Sequence, residues 1–321
     1  MQLTWPHARK ARLVLSGLVL LLTSVSVLAF EPIKPIPRQV AYNEVKAQLG
    51  KRLFFEPLLS LDETVTCASC HDFASGGADP RVVSLGVYNR KGDINAPTVL
   101  NSRFNFRQFW NGRAKDLKEQ ASGPLHSPQE MAMDPTKVEE RLNKHPEYPA
   151  LFRHAYPNTE KIVFDQVVDA IAEFESALYT PDSKFDQYLR GEGTLNPEEK
   201  AGYILFKSIG CITCHNGINV GGNSFQYLGV VNPVEGVKPG GDVYALTGDP
   251  FDKNRYKVPS LRNIELTAPY LHDGSKKTLA DVLDVMAHHN LGFRLSREEN
   301  NKLSAFLLTL TGKTPAILAN P

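Results

Sequence analysis

The chain has four cysteines, in two pairs that are each followed at once by a histidine: Cys67-Ala68-Ser69-Cys70-His71 and Cys211-Ile212-Thr213-Cys214-His215. This is the attachment sequence for c-type haem. Two thiols add to the two vinyl groups of the porphyrin, and the adjoining histidine falls beneath the iron as an axial ligand. The competing readings are a redox dithiol, a zinc site and disulfides. None of them explains a histidine directly after both pairs, and no βαβ pattern supports a thioredoxin-like dithiol. With every cysteine used, two covalent haems are expected, ligated by His71 and His215.

The N-terminus differs from the rest. A basic stretch with Arg9, Lys10 and Arg12 precedes an almost wholly apolar run from Leu13 to Ala29, with small or modest residues at Val27-Leu28-Ala29. That is the layout of a secretory signal peptide, residues 1–29, cut near Ala29. An uncleaved anchor is the competing reading, because about 17 apolar residues is borderline for spanning a bilayer. Either way the folded part is exported, and the periplasm is the expected compartment. Removing residues 1–29 takes away three cations and changes the formal net charge from +1 to −2. No basic footprint for nucleic acid exists in either form. Hydrophobic residues make up 42% of the 321, enough to build a core.

The two haem motifs lie 144 positions apart, which suggests one haem in each half: residues 30–180 and residues 181–321, with the C-terminal segment placed to pack back on the first half. Most periodic segments read as helices. Phe164, Val167, Val168, Ile171, Phe174 and Leu178 follow a 3.6-residue spacing. Asn196-Pro197-Glu198-Glu199 is a helix start that leads into the second haem motif. Thr278 and Asp281 cap a helix with Leu279, Val282, Leu283 and Met286 on one face. Ser296 and Glu299 cap another that carries Leu303, Phe306, Leu307 and Leu310. Strand alternation is weak, and residues 72–98 and 216–262, rich in Gly, Pro and Asn, read as long loops. Loops of that length are uncommon unless functional. The expected fold is mostly α, two cytochrome-c-like haem domains with long loops that wrap the haems.

Longer segments carry a resemblance. Gly50-Lys51-Arg52-Leu53-Phe54-Phe55-Glu56-Pro57-Leu58-Leu59-Ser60 precedes the first haem motif, and Gln108-Phe109-Trp110-Asn111-Gly112-Arg113-Ala114-Lys115-Asp116-Leu117 follows it. After the second motif come Pro259-Ser260-Leu261-Arg262-Asn263-Ile264 and Leu266-Thr267-Ala268-Pro269-Tyr270-Leu271-His272. From about Leu49 to Gly312 the chain resembles the bacterial dihaem cytochrome c peroxidases, a family that also holds the maturation enzyme MauG. In such peroxidases a methionine about fourteen residues beyond the last histidine ligates the C-terminal haem. Met286 stands there, although periodicity alone reads it as a core residue. MauG has Tyr at that position. Typical members also carry a distal His in a Ser-Ile-Gly-His turn ahead of Asn-x-Pro-Thr. The matching stretch here is Ser84-Leu85-Gly86-Val87 ahead of Asn95-Ala96-Pro97-Thr98. Val87 cannot bind iron, so the resemblance implies an N-terminal haem open to peroxide. His126, in an expected loop four residues before Glu130, is a substitute ligand to be weighed against an ordinary loop histidine.

The resemblance assigns further roles. Splitting peroxide heterolytically needs a proton moved from one oxygen to the other. Glu130, in the matching Gly123-Pro124…Glu130-Met131 segment, is the implied acid/base. By itself a loop Glu reads as a solvated charge. Trp110 matches the tryptophan between the haems; without the resemblance it reads as core. Asn95 through its side chain, with Thr267 and Pro269 through carbonyls, matches a Ca²⁺ site of oxygen donors. The expected activity is that of a cytochrome c peroxidase-type oxidoreductase, with hydrogen peroxide as substrate and a small cytochrome c or cupredoxin as electron donor. A MauG-like enzyme that oxidises Trp or Tyr of a partner protein is the alternative. A plain electron carrier is disfavoured, because carriers keep both axial positions filled by protein. A homodimer is left open.

Overall fold

In the computed structural model, residues 1–2, 31–158, 160–235 and 238–319 are described, so the expected signal segment lies almost wholly outside them. The chain divides into Met1–Glu31 and a second unit, Pro32–Pro321, whose architecture follows from its helices. These are α1 (Glu44–Phe54), α2 (Leu117–His126), α3 (Pro135–Lys144), α4 (Tyr148–Ala155), α5 (Phe164–Ala177), α6 (Lys184–Leu189), α7 (Pro197–Ser208), α8 (Tyr244–Thr247), α9 (Leu279–Val285), α10 (Arg297–Leu308) and α11 (Ala316–Ala319). Only two short strands accompany them, β1 (Phe225–Tyr227) and β2 (Arg255–Lys257), paired antiparallel with Phe225 opposite Lys257. The fold is mostly α, as the periodicity predicts.

Local chemistry sets the helix boundaries. Asn196, Thr278 and Ser296 each accept a hydrogen bond from the backbone of the residue three positions on, and the side chain at that position reaches back. Such reciprocal caps satisfy two otherwise orphaned donors. Met286 continues from α9 with helical backbone angles and lines the same cavity as Leu279, Val282 and Leu283, as the apolar stripe predicts; it also begins a π-helical turn, Met286–Leu291. Single π turns of this kind are frequent at functional sites. The expected loops also hold more order than their composition suggests. Residues 216–262 contain β1, α8 and β2, and residues 72–98 contain the short turns Phe73–Ser75 and Val87–Asn89.

Two apolar cores result. The first draws on residues 47–178, including Phe54, Leu125, Phe152 and Phe174, together with Ile317 from α11. The second draws on residues 185–310, including Phe185, Phe206, Phe306 and Leu310, together with Ile33. Each is organised by a helix pair that crosses at a glycine. A Cβ on Gly50 of α1 would lie 1.8 Å from Ala170 O of α5, and one on Gly202 of α7 would lie 1.9 Å from Lys302 O of α10. Only a residue without a side chain permits such approach.

A fully buried ion pair fixes the segment around Arg262. Its Nη1 donates to Asp186 Oδ1 at 2.7 Å, its Nε to Ile218 O at 3.0 Å and its Nη2 to Lys34 O at 2.9 Å. Removing either charge would leave the other uncompensated in the interior. Among the described residues no helix is long and apolar enough to cross a membrane.

Glu175 of α5 is buried in the first core and has no side-chain partner among the described residues. Burial pushes its carboxyl from the ordinary 4.5 up to about 8. The native chain therefore holds this proton more tightly than the unfolded chain. The contribution is least unfavourable below pH 4.5, and stability is lost as pH rises from 4.5 to about 8. Glu175→Gln should thus leave the unfolding midpoint unchanged at pH 4 and raise it at pH 9. Equal midpoints at pH 9, read by circular dichroism, would mean that the carboxylate is solvated.

Candidate active site

The two cysteine motifs adopt the same local conformation. Cys67–Ser69 and Cys211–Thr213 are single turns of 3₁₀ helix. His71 N–H donates to Cys67 O, and His215 N–H to Cys211 O, both at 3.0 Å. One turn therefore presents two thiols and an imidazole together. The first is capped reciprocally by Thr66 and Ser69; the second is entered through Gly210 at φ +99°, a left-handed conformation that glycine adopts without strain.

These residues fit covalent haem better than the alternatives. None of the four cysteines is in a disulfide. Burial pushes the thiols up, Cys211 to about 12, and does the same to Cys67 and Cys70. Such thiols are poor thiolates, which argues against a redox dithiol. No group of three or more His, Cys, Asp or Glu suited to a metal ion occurs among the described residues. Each histidine is arranged as an axial ligand. His71 Nδ1 lies 3.2 Å from Gly77 O, and His215 Nδ1 lies 3.4 Å from Val220 O. With Nδ1–H donated to a carbonyl, Nε2 is left with its lone pair free for iron. Burial also lowers both imidazoles, His215 to about 4, so the neutral form prevails.

A cavity of about 220 Å³ opens beside the second motif. It is lined by Cys211, Cys214 and His215, and also by Met286, Trp110 and His272. Asn95, Thr267 and Pro269 line it as well. Trp110 is anchored from two sides: its Nε1–H donates to Asn95 O at 2.9 Å, and its carbonyl accepts from Lys257 N–H at 2.7 Å. Its ring meets His272 edge-on at 6.2 Å, and His272 stacks on Tyr256 at 4.4 Å. Pro97 lines the same cavity and also lies against His71, so this space reaches toward the first motif.

Glu130 lies on the side of the first motif. Its charge acts on both Cys67 and Cys70. Burial raises its carboxyl, while a hydrogen bond from Ser127 and the charge of Arg113 oppose the rise. Arg113 lies over the Phe109 ring, 3.3 Å from its centroid. The turn Ser84–Val87 docks directly against this segment: Val87 N–H donates to Glu130 O at 2.8 Å, and a Cβ on Gly86 would lie 2.0 Å from Gln129 O. The Val87 side chain is fully buried in the first core.

His126 is placed differently from its sequence expectation. It ends α2 instead of lying in a loop, it is exposed, and its Nδ1 lies 2.6 Å from Ser122 O. Its ring contacts Phe164 edge-on at 5.2 Å. Arg113, Tyr256 and Lys257 received no role from the sequence. Arg113 stood inside a recognised segment, but its partner is 17 positions away, and no local signal marks that pairing.

Comparison with known proteins agrees with this geometry. The family described as di-haem cytochrome c peroxidase matches residues 44–194. A cytochrome c551 peroxidase of Nitrosomonas europaea is 46% identical over 288 residues, covering 89% of this chain and 86% of that protein. A methylamine utilization protein MauG of Methylorubrum extorquens is 33% identical, covering 88% and 83%. The crystal structure of a MauG-like protein associated with microbial copper homeostasis superposes with a TM-score of 0.79 at 29% identity, covering 92% of this chain and 97% of that one. Two haem-attachment turns of one conformation, on a fold shared across nearly the whole chain, place this protein in the dihaem cytochrome c peroxidase family.

Proposed function

We propose that this protein reduces hydrogen peroxide to water on the side of Cys67, Cys70 and His71, with electrons delivered to the half that holds Cys211, Cys214 and His215. The halves are residues 30–180 and 181–321, and the donor is a small cytochrome c or cupredoxin. The observation that carries the reading is the docking of the Ser84–Val87 turn on Glu130. It puts an inert apolar side chain at the position where typical members have a ligating histidine, next to a carboxyl held by burial above its ordinary range. Haem, when bound, supplies an iron that accepts peroxide oxygen and passes single electrons.

The chain's own groups move the protons. The overall reaction consumes one peroxide, two electrons and two protons and releases two waters. Glu130 as carboxylate takes the proton from the attacking peroxide oxygen and returns it to the departing one, which leaves as water. Burial keeps its affinity for that proton high, and Arg113 and Ser127 keep the charged form accessible. Trp110, fixed at its indole N–H and its carbonyl, offers a π system for electron transfer between the halves. Met286, half-buried in the cavity that His215 also lines, would help hold the second haem; a Met/His pair raises the potential and would suit an electron-receiving centre. Asn95 donates its Nδ2 to Arg81 O at 2.9 Å, which fixes the amide and leaves Oδ1 for a cation. With the Thr267 and Pro269 carbonyls it would hold a Ca²⁺ through oxygen donors. Residues 1–29 direct export to the periplasm; N-terminal sequencing of the mature protein should read a start near Phe30.

The relative named as a peroxidase is 46% identical and the MauG protein 33%, which supports peroxide turnover over oxidation of a partner protein. Fully ferric enzyme mixed with peroxide and reduced cytochrome c should turn over rapidly without prior reduction. Negligible turnover would replace this reading with oxidation of Trp or Tyr on a partner. Glu130→Gln should slow peroxide cleavage by about 10²–10⁴, and an unchanged rate would remove Glu130 from the mechanism. Met286→Ala should lower the potential of the second haem and convert its low-spin EPR signal to high-spin; an unaltered spectrum would return Met286 to a packing role. Chelation of Ca²⁺ should depress turnover, and added CaCl₂ should restore it; a chelated enzyme of full activity would dismiss the calcium site.

A further inference from the structure

Lys257 is the last residue of β2 and is buried, with 6% of its surface exposed. Its side chain lines the cavity beside Cys211, Cys214 and His215. Its backbone is fully used, since its N–H holds Trp110 O and its strand pairs with Phe225 of β1. Its ammonium has no hydrogen bond or ion pair among the described residues, in contrast to its strand neighbour Arg255, which pairs with Asp252 at 2.8 Å.

Among the described residues that line this cavity there is no Asp or Glu, and Lys257 is the only Lys or Arg. An ammonium removed from water without a counter-charge is among the most unfavourable things a fold can contain. Such groups persist when paired, or they lose their proton. The described residues supply no partner, and burial alone pulls this amine down to about 8. The missing anion must therefore arrive with whatever fills the cavity. The group attached at Cys211 and Cys214 brings two carboxylates of its own, the haem propionates.

We propose that Lys257 is the counter-charge for a propionate of the haem attached at Cys211 and Cys214. The pairing is a positioning and tuning role, separate from iron ligation. It satisfies the lysine, seats the haem edge, and withholds negative charge from the iron. Through its N–H on Trp110 O, the same residue also ties that haem edge to a residue of the other half. The inference rests on the haem assignment and holds whichever oxidised substrate the protein takes.

Lys257→Met keeps most of the volume and removes the charge; Lys257→Arg keeps the charge. Both holoproteins should be read by resonance Raman in the propionate-bending region and by spectroelectrochemical titration that resolves the two haems. In Lys257→Met the propionate band should move, and the midpoint potential of the haem on Cys211 and Cys214 should fall, because an unscreened carboxylate favours the ferric state. Lys257→Arg should retain both wild-type values. Unchanged band and potential in Lys257→Met would overturn the pairing, as would a change confined to the haem on Cys67 and Cys70. If Lys257→Met fails to retain the second haem, Lys257→Arg decides: retention with the wild-type potential supports charge pairing, and loss there too shows that the site requires the lysine's shape.

Discussion

Everything in this molecule depends on two imidazoles being held neutral, with one nitrogen locked and the other free. Gly77 O and Val220 O perform the locking for His71 and His215. A histidine free to rotate or to protonate could not serve as a fixed axial ligand, and thiols one turn away would then have no defined porphyrin plane to join. Burial supplies the second half of the constraint by disfavouring the imidazolium. The carbonyls come from loop residues five and six positions downstream, so the loops after each motif are part of the haem mount. This accounts for chain segments rich in Gly and Asn that are nonetheless ordered.

The two halves use one building plan and differ where chemistry differs. Each has a helix pair crossing at a glycine, Gly50 against α5 and Gly202 against α10, and each has a cysteine turn of the same shape. The halves also exchange ends: Ile33 packs in the second core and Ile317 in the first. Arg262 reinforces that exchange by binding Lys34 O while paired with Asp186. The surroundings of the two motifs then diverge. Around the first lie two carboxyls raised by burial, Glu130 and Glu175. The described residues lining the cavity at the second include no carboxyl but hold a thioether, an indole and a buried ammonium. Under the proposed function, proton handling and electron handling would be separated within one fold.

Trp110 and its surroundings join the two. Its indole N–H, its carbonyl and its ring edge are each engaged, by Asn95, Lys257 and His272. Asn95 N–H in turn donates to His272 O at 2.7 Å. Four residues from segments far apart in sequence thus form one hydrogen-bonded and stacked group, and a side chain fixed at three points keeps a constant distance to its neighbours, which electron transfer requires.

The sequence alone determined the parts that rest on covalent chemistry and short-range capping. Two thiols and a histidine within five residues define a haem site whatever surrounds them. Asn196, Thr278 and Ser296 mark helix starts because their partners are three residues away. The position of Met286 on the α9 stripe was legible from periodicity, but its proposed ligand role came from resemblance alone, because a 3.6-residue spacing does not tell a ligand from a core methionine. Tertiary structure decided the rest. Glu130 meets Arg113, Val87 meets Glu130, and Lys257 faces a cavity without carboxylates only because distant loops converge. His126, plausible as a ligand from its position in the chain, is turned to solvent by the end of α2. Charge, burial and distance are properties of that convergence, and no spacing along a single chain encodes them.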